Sequence, residues 1–93
     1  MMPRSVALAA VALALDNGLG RVPPLGWSSW NYFAGHINET VFRDMADAMV
    51  STGLRDVGYQ YINIDAGYLT PHRSDEGKLV VDGAKFPHGI RHI

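Results

Sequence analysis

Two stretches of the chain decide its fold, Leu25-Gly26-Trp27-Ser28-Ser29-Trp30-Asn31 and Tyr59-Gln60-Tyr61-Ile62-Asn63-Ile64-Asp65. The first predicts a short buried strand that ends near Trp30. The second is rich in aromatic and β-branched residues, which favour strands, and it predicts a strand that ends at Asp65. Each apolar run therefore finishes beside a chemically useful side chain, an indole in the first case and a carboxylate in the second.

The segment between the two predicted strands has the pattern of one helix. Asn38 is a preferred N-cap residue, and Glu39 follows it at the positive end of the helix dipole. Small or apolar residues then recur at helical spacing until Gly53 supplies the stop; they are Val41, Met45, Ala48, Met49 and Thr52. Strand, helix and strand in this order predict an α/β fold built on a βαβ unit with parallel strands.

The region after Asp65 predicts a loop with a hairpin. Ser74-Asp75-Glu76-Gly77 is typical turn sequence, and Lys78–Val81 extends briefly after it. Phe86-Pro87-His88-Gly89-Ile90 then predicts the start of a second helix.

The N-terminus predicts a secretory signal peptide over residues 1–14. Arg4 precedes an apolar run from Val6 to Leu15, which is too short to span a membrane. Residues 15–93 are then the mature part, expected in the extracellular space or cell wall (apoplast), or in the vacuole by the secretory route.

The net charge of −1 gives no basis for nucleic-acid binding, and the absence of cysteine excludes thiolate metal sites and cysteine nucleophiles. No cofactor, metal or membrane span is expected.

Trp30 and Asp65 are the candidate site residues. In doubly wound sheets and in (β/α)8 barrels alike, functional side chains stand on the loops that follow the strands. An indole offers an apolar face to a sugar ring, and a carboxylate accepts hydrogen bonds from sugar hydroxyls. Each residue also has a structural interpretation, Trp30 as a core aromatic and Asp65 as a strand-end cap; the pair together favours a sugar site.

Other chemistries fit the sequence less well. A nucleophile elbow at Ser28 needs a glycine where Trp30 stands. His88 and His92 are spaced to share a helix face, but no further ligand has suitable spacing for a metal, and surface histidines are the expectation. Asn38-Glu39-Thr40 is an acceptor triplet for N-glycosylation at Asn38, which accords with secretion.

At the level of motifs the chain resembles the α-galactosidases (melibiases) of glycoside hydrolase family 27, especially those of plants. The similarity covers essentially the whole chain after the signal peptide. The segments that carry it are Asn17-Gly18-Leu19-Gly20-Arg21, Pro23-Pro24-Leu25-Gly26-Trp27-x-Ser29-Trp30-Asn31, Ile37–Thr40, Ala46–Leu54, Gly58-Tyr59 and Phe86-Pro87-x-Gly89-Ile90.

The resemblance implies a (β/α)8 (TIM) barrel that removes terminal α-linked galactose from small-molecule or oligosaccharide α-galactosides. The reaction it implies retains the anomeric configuration of the sugar. Retention needs two carboxyl groups; the family's catalytic aspartates follow the fourth and sixth strands, so no catalytic residue is expected in these 93 residues. Trp30 matches a sugar-contacting tryptophan, and Asp65 matches the first of two sugar-binding aspartates.

The chain departs from the family pattern at two points. Ala66 stands where the family has the second sugar-binding aspartate. The resemblance also implies a disulfide between positions 35 and 67, and this chain has Gly35 and Gly67 there.

The sequence thus predicts the N-terminal βαβ portion of a (β/α)8 barrel, incomplete in this chain. By itself such a portion is expected to be inactive and poorly stable, with truncation as the explanation of its length. The alternative is a truncated, non-catalytic secreted carbohydrate-binding relic.

Overall fold

A computed structural model describes residues 16–93, and the predicted signal peptide, residues 1–14, lies outside this range. The elements are strand β1 (Leu25–Ser28), helix α1 (Trp30–Phe33), helix α2 (Glu39–Ser51) and strand β2 (Tyr59–Asn63). Two 3₁₀ turns, Arg55–Val57 and Ile90–His92, complete them. The predicted strand–helix–strand order is confirmed.

The two strands pair in parallel, as predicted. Trp27 lies opposite Ile62 and Ser28 opposite Asn63, with an irregularity in register between Leu25 and Gly26. Gly26 lies so close to β2 that a Cβ on it would stand 2.7 Å from the Cβ of Tyr61. A side chain at this position would therefore force the two strands apart.

Helix α2 begins and ends where its sequence predicts. The Oδ1 of Asn38 accepts a hydrogen bond from the Val41 N–H at 3.0 Å, which satisfies one of the free donors of the first turn. At the other end Thr52 is the C-cap, and Gly53 follows with φ +80°. Because this left-handed conformation strains other residues, glycine is suited to ending the helix here.

Helix α1 is an element that the sequence did not predict. It is a single turn directly after β1, and its N-cap residue Ser29 makes no side-chain cap. Trp30 is therefore the first residue of a helical turn rather than the end of a strand. The turn closes at Ala34, which has the unusual φ of +48° and sends the chain back towards α2.

The core lies between the sheet and α2. Ile37, Phe42 and Phe86 form its buried centre, with Met49 buried further along α2. Trp27 and Ile64 pack against the centre from the sheet. Phe42 was missing from the predicted apolar positions of α2, although it is the most buried residue of the helix.

The predicted hairpin is present after β2. Leu69 and Val81 form an antiparallel bridge, the Thr70 N–H donates to the Val80 carbonyl at 2.8 Å, and Ser74 closes the turn with Gly77. The predicted second helix is only the 3₁₀ turn Ile90–His92. Gly89, with φ +78°, separates His88 from this turn, so His88 and His92 do not share a helix face.

Candidate functional site

The site is built at the carboxyl ends of β1 and β2, and Ser29 joins them. Ser29 is completely buried. Its Oγ accepts a hydrogen bond from the Asp65 N–H at 3.1 Å, and its own N–H donates to the Asn63 carbonyl at 3.4 Å. Because Ser29 is adjacent to Trp30, these bonds place the two predicted site residues at the same edge of the sheet.

Trp30 lies on the surface of this edge, with 48% of its area exposed. The core aromatic of the motif is instead Trp27, whose ring meets Phe33 and Phe42 edge-on at centroid distances of 6.1 and 5.9 Å. The two indoles differ in position because Trp27 lies in β1 with its side chain on the core face, whereas Trp30 begins α1 after the strand has ended. Trp30 is therefore free to present its ring to a ligand.

Asp65 has an exposed carboxylate with one oxygen committed to the backbone. Its Oδ1 accepts a hydrogen bond from the Ala66 N–H at 2.7 Å, which is the local role that the strand-end interpretation expects. Its Oδ2 has only a long contact of 3.5 Å with the Ser28 Oγ. This second oxygen retains acceptor capacity for hydroxyl groups.

The sheet face next to Asp65 is polar. By alternation along the strands, Ser28, Asn63 and Asp65 lie on the face opposite to α2, while Trp27, Ile62 and Ile64 lie on the α2 side. Ala66 is exposed directly after Asp65. The edge thus offers an indole, a carboxylate and neutral polar groups, with a methyl group at position 66.

Behind this edge the loops after β1 and β2 touch at two glycines. A Cβ built on Gly67 would lie 2.8 Å from the Gly35 Cα, and Gly67 has φ +109°. The Lys85 Nζ donates to the carbonyl oxygens of both Gly35 and Gly67, each at 2.8 Å. The glycine pair at the expected disulfide position is therefore a close backbone contact.

His88 contacts Glu39 at the start of α2. The Glu39 carboxylate accepts a hydrogen bond from the His88 N–H at 2.7 Å and lies 2.9 Å from the His88 Nδ1. The hydrogen bond to the His88 side chain holds the pKa of Glu39 below its ordinary value. His92 stacks near His88, with ring centroids 4.8 Å apart.

No cluster of three or more possible metal ligands exists between residues 16 and 93. Across the same residues, no helix has the length and apolar character needed to cross a membrane. His36 and His72 lie exposed.

Two residues whose side chains bridge segments of this edge, Ser29 and Lys85, are not among the predicted site residues. Only Ser28 was considered for chemistry, as a nucleophile. The signal for Ser29 is its place directly after the first strand, where a small hydroxyl residue can reach the neighbouring strand end. For Lys85 no local signal exists, because its two acceptors lie in loops distant along the chain.

Comparison with known proteins shows which family the chain matches. Residues 22–93 match the family model described as Melibiase_2, alpha galactosidase A. The chain is 55% identical over 76 residues to an alpha-galactosidase of Cyamopsis tetragonoloba, which covers 82% of this chain and 18% of that protein. An alpha-galactosidase 3 of Arabidopsis thaliana is 52% identical over 79 residues, covering 85% of this chain and 18% of the relative. The chain thus spans about a fifth of the length of these relatives.

Solved structures give the same result. Alpha-galactosidase I from Mortierella vinacea superposes with a TM-score of 0.78 at 37% identity, covering 84% of this chain and 20% of that one. An alpha-galactosidase from Saccharomyces cerevisiae with raffinose superposes with a TM-score of 0.76 at 43% identity, covering 82% of this chain and 17% of that one.

Proposed function

We propose that this chain, which belongs to the alpha galactosidase A (Melibiase_2) family, supplies part of the sugar-binding site of a retaining α-galactosidase. Residues 16–93 are the N-terminal βαβ portion of that family's (β/α)8 barrel. The observation that carries the proposal is the hydrogen bond from the Asp65 N–H to the Ser29 Oγ, which brings Trp30 and Asp65 to one sheet edge. Functional side chains of such barrels stand at this edge.

In the proposed site the exposed Trp30 indole packs against the apolar face of a galactosyl ring, and Asp65 accepts hydrogen bonds from its hydroxyls. Stacking and charge-assisted hydrogen bonding are complementary, because stacking depends on the shape of the ring and hydrogen bonding depends on the positions of the hydroxyl groups. The free Oδ2 of Asp65 is the oxygen best placed for this role.

The hydrolysis itself needs a nucleophile and an acid–base carboxyl group, one on each side of the glycosidic bond. The family resemblance places both after later strands, outside these 93 residues. We therefore assign substrate binding, and no catalytic step, to this chain. Its substrate class is a terminal α-galactoside of small-molecule or oligosaccharide size, consistent with the raffinose in the yeast relative's structure.

Ala66 alters the site relative to the family. A methyl group replaces a carboxylate next to Asp65, so one set of hydrogen bonds to the sugar is lost. Loss of a charged acceptor costs about 1.5–3 kcal/mol, or roughly ten- to hundredfold in affinity. Ala66, at a position where the family resemblance implies an aspartate, is the feature that favours the second candidate, a non-catalytic carbohydrate-binding relic.

Secretion belongs to the same proposal, with residues 1–14 as the signal peptide and residues 15–93 as the start of the barrel. Asn38 is the proposed glycosylation site. Its Oδ1 caps α2, whereas a glycan attaches to the side-chain nitrogen, so capping and glycosylation are compatible.

A chimera tests the function. Residues 22–93 replace the matching segment of the Cyamopsis tetragonoloba alpha-galactosidase, and turnover of a chromogenic α-galactoside is measured with galactose as inhibitor. We expect activity that Trp30→Ala and Asp65→Asn each reduce at least about tenfold in kcat/KM, whereas the exposed control Asp75→Asn leaves it unchanged.

In the same chimera, Ala66→Asp is expected to tighten inhibition by galactose about ten- to hundredfold. A folded chimera without turnover would favour the relic. Unchanged galactose inhibition in the Ala66→Asp variant would show that position 66 does not face the sugar.

A further inference from the structure

We propose that Lys85 is a positioning residue for the sugar site: its ammonium group fastens the loop after β1 to the loop after β2 and so fixes Trp30 relative to Asp65. The inference rests on the proposed function, because it concerns the same site. It adds a residue that follows the hairpin after β2 and touches neither predicted sugar contact.

The contacts of the ammonium group are specific. The Lys85 Nζ donates to the Gly35 carbonyl and to the Gly67 carbonyl, each at 2.8 Å, a distance typical of charge-assisted hydrogen bonds. Gly35 follows the helical turn that begins at Trp30, and Gly67 follows Asp65 after a single residue. One cation therefore links the two segments that carry the predicted sugar contacts.

The two loops need such a link because they meet backbone to backbone. Where Gly67 approaches Gly35, neither residue has a side chain that could hold the contact together. Two carbonyl dipoles directed at the same point repel each other unless a donor lies between them. Lys85 provides that donor. Among residues 16–93 it takes part in no ion pair, so the two carbonyl oxygens, and no carboxylate, accept hydrogen bonds from its ammonium group.

Lys85 is itself held on a separate, well-anchored segment. The Asp82 Oδ1 accepts hydrogen bonds from the N–H groups of Ala84 and Lys85, at 3.0 and 3.3 Å. The Lys85 carbonyl accepts from the Glu39 N–H at 3.1 Å, at the start of α2. The next residue, Phe86, is buried in the core. The amine is thus fixed from the core side and reaches out to the loops.

The chain contains a matched control, since its only other lysine is Lys78. The side chain of Lys78 is 76% exposed and pairs with Glu76 at 2.6 Å on the hairpin surface. Any measurement that reads lysine environment or charge can compare these two positions within one molecule.

The first test is pulsed amine labelling of the chimera described above, with mass spectrometry of the Lys78 and Lys85 peptides. In native buffer we expect Lys85 to react about tenfold more slowly than Lys78, because its amine is bonded and partly buried. In concentrated urea the two rates should converge. Equal rates in native buffer would overturn the proposal.

The second test uses the chimera described above, with Lys85→Met, Lys85→Arg and Lys78→Met. We expect Lys85→Met to weaken galactose inhibition roughly tenfold with kcat changed less than about twofold, and Lys85→Arg to restore most of the affinity because it keeps charged donors. Lys78→Met should match the unmodified chimera. A galactose inhibition constant in Lys85→Met equal to that of Lys78→Met would overturn the positioning role.

The two tests separate the two proposals. If the unmodified chimera binds no galactose, the proposed function fails, while the labelling ratio still decides whether Lys85 is bound between the loops. If Lys85→Met does not fold, the proposal is decided by the ratio of the Lys85 and Lys78 labelling rates and by the galactose inhibition constant of the Lys85→Arg variant.

Discussion

At the scale of single residues, Gly35 and Gly67 occupy the positions at which the family resemblance implies a disulfide, and they meet in a close backbone contact. A Cβ on Gly67 would stand 2.8 Å from the Gly35 Cα. With a Cα–Cβ bond of about 1.5 Å, the two Cα atoms are then at most about 4.3 Å apart, below the 4.4–6.8 Å usual for a disulfide. No atom lies within 4 Å of a Cβ on Gly35, so that Cβ does not face Gly67. The glycines thus create a closer contact, with a different geometry.

The two glycines should respond differently to the same substitution. Gly67→Ala introduces a methyl group against the Gly35 backbone at a residue with φ +109°, and we expect a loss of about 1–3 kcal/mol in stability. Gly35→Ala meets no atom within 4 Å and should change stability by less than about 1 kcal/mol. Thermal unfolding of the chimera carrying each variant measures both.

An equal effect of the two substitutions would contradict the close contact. A loss confined to Gly67→Ala would confirm it. Galactose inhibition measured on the same samples tells whether the contact also matters for the site.

At the scale of elements, the sequence predicted what depends on local signals. Helix α2 has an N-cap in Asn38, a left-handed stop in Gly53 and apolar residues at helical spacing, and all three signals act within a few residues. The strands and the hairpin turn follow from equally local preferences. The positions of Trp30 and Asp65 at one sheet edge follow from the parallel βαβ rule.

What the sequence did not predict depends on distant partners. The turn α1 has no cap of its own, because the Ser29 hydroxyl is bonded to the Asp65 N–H instead. The 3₁₀ turn at Ile90–His92, where the sequence predicts the start of a helix, is an exception, because it follows the local conformation of Gly89, whose φ is +78°. The roles of Ser29 and Lys85 likewise arise only once loops separated in sequence come together.

The contact between His88 and the start of α2 predicts a pH dependence. Hydrogen bonding from the His88 side chain holds the pKa of Glu39 below its ordinary value. A carboxyl group whose pKa is lower in the folded than in the unfolded state stabilises the fold above its unfolded pKa, and this stabilisation is lost as pH falls through the folded pKa. The relevant window therefore lies below about pH 4.5.

Comparison of the chimera with its Glu39→Gln variant isolates this contribution. The difference in thermal midpoint should favour Glu39 at pH 6 and shrink towards zero as pH falls below about 4.5, because protonated glutamate resembles glutamine. His72→Gln, at an exposed histidine, serves as the control. A difference that is constant from pH 6 to pH 3 would contradict the assigned interaction.

At the scale of the whole molecule, the described residues bury little. Four hydrophobic side chains are buried, those of Ile37, Phe42, Met49 and Phe86. The sheet has two strands, and large apolar side chains on it are exposed to solvent, Tyr61 by 55% and Ile62 by 36%.

A groove of about 480 Å³ between α2 and β2 is also open to solvent. Its lining residues include Phe42, Ile62, Ile64, Ile90 and Ile93. These surfaces are where further strands and helices of the family's barrel would pack.

The 93-residue chain alone should therefore unfold without a cooperative transition or associate through its open strands, since two strands and so small a core give marginal stability. We expect calorimetry and size-exclusion chromatography of the purified chain to show a broad, weak transition or aggregated material, and an assay with a chromogenic α-galactoside to show no turnover. The chimera, in which later strands cover Ile62 and the groove beside α2, should give a sharp transition under the same conditions. A soluble monomer of residues 1–93 with a sharp unfolding transition would contradict this prediction, because it would mean that the core around Phe42 and Phe86 suffices without the rest of the barrel.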